Sequence, residues 1–137
     1  MLNNRINVDE KKLTSTSQTD STQTINGHQL KLYIEAALRW LRANQQLVNS
    51  LNVFPVPDGD TGTNMLLTMQ AAYNEIANTD ESNIGKVAKN VAQGALMGAR
   101  GNSGVILSQI LRGFARVLDN LSEMDAVLFS RALSESR

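Results

Sequence analysis

The chain has 137 residues, thirteen basic and thirteen acidic side chains for a formal net charge of zero, 42% hydrophobic residues and no cysteine. That length suits one domain around a single core. The charge balance gives no footing for nucleic acid or an anionic membrane surface, and the missing cysteines exclude disulfides, thiolate nucleophiles and cysteine metal sites. His28 is the single histidine, so a Ser-His-Asp arrangement or a histidine zinc site would rest on that residue alone, which reads as a solvated side chain near a helix start. Any bound metal is left with oxygen ligands. No apolar run approaches the length of a membrane span and the N-terminus lacks the basic-then-apolar layout of a secretory signal, so a soluble cytoplasmic protein with no integral membrane segment is the expectation.

Residues 1–24 carry few apolar groups, and Thr14 to Thr24 contains only Ser, Thr, Gln and Asp. Such a composition cannot bury enough surface to offset its ordering entropy, and the segment reads as a flexible polar leader. From Gly27 the pattern changes. Leu30, Tyr33, Ile34, Ala37, Leu38 and Leu41 fall at spacings of three and four, which predicts an amphipathic helix reaching to Val48. A second stripe of Met65, Leu66, Met69, Ala72, Tyr73 and Ile76 follows an Asp-Gly loop, with Thr61 or Thr63 placed to cap it. Ile84, Val87, Ala88, Val91, Ala92, Ala95 and Leu96 mark a third helix that stops at Gly98, and its small residues allow close packing. Val105, Leu107, Ile110, Leu111, Phe114, Val117 and Leu118 mark a fourth, for which Ser103 is the candidate N-cap. A last helix is predicted over 123–134 from Met124, Val127, Leu128 and Ala132, with Phe129 off the stripe. No strand alternation appears, so the expected fold is all-α, an antiparallel helical barrel or bundle with short loops.

Two loops break the helical pattern. In NVFPVPDGDTGTNM, residues 52–65, both prolines of the chain (Pro55 and Pro57) precede Asp58 and Asp60, which have only Gly59 between them. The prolines restrict the approach, the glycines permit the turn, and the two carboxylates can converge on one hard cation. The same residues also suit an ordinary surface turn ending in a threonine cap. The spacing is not that of an EF-hand, since Met69 falls where the bidentate Glu belongs. In GARGNSG, residues 98–104, glycines let backbone N–H groups face an anion at a helix N-terminus, and Ser103 adds a hydroxyl. Neither a Walker A lysine nor a preceding strand is present, and a plain helix–helix connection would use the same residues. Taken together, a carboxylate pair and a phosphate cradle are two halves of a magnesium–nucleotide site.

NVFPVPDGDTGTNM followed by GALMGARGNSGVILSQILRGFA resembles, over residues 25–120, the nucleotide-binding domain shared by the L subunit of dihydroxyacetone kinase and the kinase subunit of bacterial fatty acid kinase. The resemblance implies an antiparallel helical barrel holding ATP or ADP and magnesium at one end. By position it implies Asp58 and Asp60 as magnesium ligands, with Asn52 as a further metal candidate near where sugar-kinase members supply another aspartate. Thr61 stands where those members have histidine and joins the two aspartates as a catalytic candidate. Asn64 is implied near the nucleotide, and Gly101, Asn102, Ser103 and Gly104 in the loop over its phosphates. These features, with the FPVP spacing, resemble the fatty acid kinase branch, in which a fatty acid presented by a separate binding protein becomes an acyl phosphate. A dihydroxyacetone-type nucleotide subunit and a non-catalytic nucleotide-binding or dimerising module are the alternatives. Residues 25–137 resemble an N-terminal portion of that domain, so the barrel is expected to be incomplete and to leave apolar surface that something covers, a second copy in a homodimer being one cover.

Overall fold

The structure, a computed structural model, describes residues 23–53 and 57–136. The polar leader falls outside the described residues except for its last two, and so does Pro55. Six helices occur among the described residues: α1 (Gly27–Ala43), α2 (Gln45–Ser50), α3 (Thr61–Asn74), α4 (Ile84–Met97), α5 (Gly101–Val117) and α6 (Ala126–Glu135). The expected all-α bundle is what is found. Among the described residues the one trace of strand pairing is an isolated antiparallel bridge between Ile25 and Met124.

Three helix starts follow from local side-chain chemistry. Asn26 and Gln29 form a capping box on α1, the Asn83 side chain accepts from the Lys86 N–H at 3.0 Å, and the Asp125 side chain accepts from the Leu128 N–H at 2.8 Å. Each bond satisfies a first-turn donor that has no partner within its helix. The first predicted helix is shorter than expected. At Asn44 the side-chain amide donates to the Trp40 carbonyl at 2.8 Å, and this competition with the backbone ladder divides the predicted span into α1 and α2.

Helix α4 is the centre of the bundle and packs against α1, α3 and α5, while α5 also contacts α3 and α6, and α2 lies on α3. Ile84, Val87, Ala88, Val91, Ala92 and Ala95 are all buried, as their spacing predicts. Each large aliphatic among them contributes roughly 1.5–3 kcal/mol by leaving water. Helix α5 differs from expectation. Gly104, Ser108 and Ala115 are its buried residues, whereas Val105 and Ile110 are exposed. The helix turns its small side chains to the bundle because a close approach to α3 and α4 needs them there. Helix α6 also departs from its stripe. Val127 is exposed, and Phe129 packs edge-on against Phe114 with ring centroids 6.0 Å apart, an arrangement aromatic pairs favour. Large apolar side chains, Trp40, Leu51, Met97 and Ile106 among them, remain exposed. Among the described residues, no helix is long and apolar enough to cross a membrane.

Candidate functional site

Both unusual loops feed helix N-termini, and the bundle brings those termini together. At the first, Gly59 takes φ +63° and Asp60 becomes the N-cap of α3. An aspartate in that position ordinarily turns its carboxylate onto a first-turn amide. Here it makes no such bond. Asn52 Oδ1 accepts from the Asp60 and Thr61 N–H groups at 3.1 and 3.3 Å, and Asn49 Oδ1 accepts from the Thr63 N–H at 3.0 Å. The Asn49 and Gln45 amides each donate to the Thr63 hydroxyl at 3.0 Å. Neutral amides thus do the capping. The carboxylates of Asp58 and Asp60 are left exposed, with no hydrogen bond or ion pair among the described residues.

This arrangement corrects one expectation. Thr61 and Thr63 are not the caps of α3, because both lie inside its first turn. Asn52 directs its Oδ1 to two backbone amides and so sets the position of Asp60. Asn49 and Gln45 were missed by sequence reasoning, although the amide-rich run QQLVNSLN just before the loop was the available signal. Replacing Asn49 with Ala should cost about 1–2 kcal/mol, because it removes one cap bond and the Thr63 hydroxyl contact. Urea unfolding should show this as a lower midpoint with an unchanged slope.

At the second loop, α5 starts at Gly101 after an extended Arg100 N-cap, with no side-chain cap. Ser103, the expected N-cap, sits inside the first turn, and its hydroxyl donates to the Thr61 carbonyl at 3.3 Å. No hydrogen bond among the described residues uses the N–H groups of Gly101, Asn102 or Ser103. Every other helix of ten or more residues has its first turn met by at least one side chain, whereas α5 leaves the donors of Gly101, Asn102 and Ser103 all open at the positive end of its dipole. Gly101 has φ +63°, and a Cβ there would strike the Asn64 side-chain amide. The Asn64 amide therefore packs directly on the loop.

The structure thus joins Asn52, Asp60, Thr61, Asn64, Gly101 and Ser103 in one contact network across the two loops. Asp58, Asn102 and the Arg100 guanidinium stand beside it, exposed and with no side-chain partner among the described residues. Among the described residues no group of three or more His, Cys, Asp and Glu side chains is arranged to hold a metal. A cation on Asp58 and Asp60 would complete its shell with water and ligand oxygens, as magnesium commonly does.

A family profile described as the DAK2 domain matches residues 55–137, a span that holds the second loop and all but the first three residues of the first. The chain belongs to the DAK2 domain family. It shares 48% identity over 113 residues with protein YloV of Bacillus subtilis (strain 168), an overlap of 82% of this chain and 20% of that protein. Uncharacterized proteins of Staphylococcus aureus strains USA300 and NCTC 8325 are each 49% identical over 108 residues, 79% of this chain and 20% of theirs. The chain therefore spans about a fifth of the length of the curated relatives it matches. Membership places the DAK2 chain among dihydroxyacetone kinase L-subunit-like, kinase-related proteins.

Proposed function

We propose that this DAK2 chain is the nucleotide-holding part of a magnesium-dependent cytoplasmic kinase whose phosphoryl acceptor is a fatty acid presented by a separate binding protein. The observation that carries the reading is the meeting of two unengaged carboxylates with the uncapped N-terminus of α5, tied together by the bond from Ser103 to Thr61. Asp58 and Asp60 would hold magnesium, which when bound neutralises charge on the phosphate oxygens. The open amides of Gly101, Asn102 and Ser103 bind phosphate oxygens of ATP or ADP, Gly104 keeps the start of α5 close to α3, and Asn64 sets the floor of the loop.

The side chain at position 61 supports this acceptor. A sugar hydroxyl must lose a proton as it attacks, and Thr61 offers no basic group for that task. A fatty acid carboxyl is already ionised at neutral pH. Its oxygen bonds to the γ-phosphorus, the bond from that phosphorus to the bridging oxygen breaks, and ADP leaves, with no proton to be removed. Thr61 then needs only to position, through its place in the first turn of α3.

The protein incubated with ATP, magnesium and a fatty-acid-loaded carrier should form an acyl phosphate, trapped by hydroxylamine as the hydroxamate, and omission of any one component should abolish it. Phosphorylation of dihydroxyacetone with no hydroxamate formed would overturn the acceptor assignment.

A further inference from the structure

Thr68, Ser108 and Ser136 are buried polar side chains that the catalytic reading leaves unused, and the first of them faces the site. Thr68 is 0% exposed, in the interior of α3 one turn beyond Asn64. Its hydroxyl donates to the Asn64 carbonyl at 2.8 Å. A threonine bonded back to the preceding turn of its own helix is commonplace and does nothing for a distant loop. The second bond is different. The same oxygen accepts from the backbone N–H of Arg100 at 3.1 Å, across 32 residues of sequence. Among the described residues it is the one hydrogen bond that reaches from α3 to a backbone donor of the glycine loop. A Cβ on Gly104 would also strike this hydroxyl, so the first turn of α5 rests directly on it.

We infer that Thr68 is a positioning residue that fixes the glycine loop, and so the open amides of Gly101, Asn102 and Ser103, relative to Asn64 and the aspartate turn. The inference rests on the nucleotide reading above for its functional consequence, but the clamp itself is a property of the chain without ligand. Its logic is entropic. The loop around Gly98, Gly101 and Gly104 has few side chains to restrict it, and glycine-rich backbone that must be ordered on binding lowers affinity. One hydroxyl that bonds both a carbonyl of α3 and the N–H at the mouth of α5 orders the loop in advance.

Two substitutions separate positioning from packing. Thr68→Val keeps the shape and burial but removes both hydrogen bonds. Thr68→Ser keeps the hydroxyl but removes a buried methyl group. The measurements are thermal unfolding, affinity for magnesium-ATP by calorimetry, and amide hydrogen exchange of the full chain without ligand. Thr68→Val should weaken magnesium-ATP binding about tenfold or more and speed exchange at the hydrogen-bonded amides of Arg100 and Gly104, with α1 and α6 unchanged. Thr68→Ser should melt lower than the parent yet retain its affinity and loop protection.

Loop protection in Thr68→Val equal to that of the parent would overturn the inference. So would an affinity that follows melting temperature through both variants instead of following the hydroxyl. If the parent itself bound no nucleotide, the nucleotide reading would fall, and the exchange comparison alone would still decide whether Thr68 clamps the loop.

Discussion

Asp60→Ala should abolish magnesium-dependent nucleotide binding while leaving the helical fold intact. The carboxylate makes no bond within the described protein, because Asn52 and Asn49 supply the caps of α3. The backbone of residue 60 keeps its own bonds, donating to Asn52 and accepting from the Asn64 N–H at 2.9 Å. Loss of an exposed side chain away from caps and core ordinarily changes stability by no more than about 0.5 kcal/mol. Loss of a direct ligand is a different matter. Even the outer partners of a bound metal are worth about 10–100-fold in affinity, so removing Asp60 should cost about a hundredfold or more. Equilibrium dialysis of nucleotide with magnesium, beside thermal unfolding by circular dichroism, separates the two effects. Undiminished binding by the variant would remove the metal role assigned to Asp60.

Gly62→Ala should have the largest effect on the fold around the site. A Cβ there would lie 2.5 Å from the Gln45 backbone carbonyl and 2.9 Å from Asn49 Oδ1. A flexible side-chain end can move aside, but Gln45 is held in α2, and the whole helix would have to retreat from α3. Overpacking of this kind costs about 1–3 kcal/mol and occasionally more. The retreat would also pull Asn49 and Gln45 from Thr63, adding a lost cap. The expected result is a urea midpoint well below the parent's together with weakened nucleotide binding. A variant with normal stability and normal binding would mean that α2 and α3 do not press together as tightly as the structure shows.

The sequence announced the helices because apolar spacing reports which face meets the core, and α4 obeys that rule along nearly its whole length. It misjudged α5 because burial there is set by how close two backbones come. Gly104, Ser108 and Ala115 win the inward face over Val105 and Ile110, and a hydrophobic stripe cannot register a preference for small size. The two loops were visible as departures from helical periodicity. Their pairing as one site was read from their chemistry, but the contacts that join them were not legible. The join depends on Thr68, whose hydroxyl meets Arg100 across 32 residues, and on Asn49 and Asn52, which look like ordinary polar residues until α2 folds onto the start of α3. Capping was misassigned for the same reason. Thr61, Thr63 and Ser103 are residue types that cap helices, but each lies a little beyond the N-cap position, and the amides are met by side chains from elsewhere or stay open.

The central claim is that the two loops form one site for a nucleotide and magnesium. Calorimetric titration of the 137-residue chain with ATP, in the presence and absence of magnesium, tests it most directly once circular dichroism has shown the chain to be helical. Saturable binding at one site that requires magnesium is the predicted result. A helical chain that releases no heat with ATP under either condition, or binds it equally well without the cation, would contradict the claim.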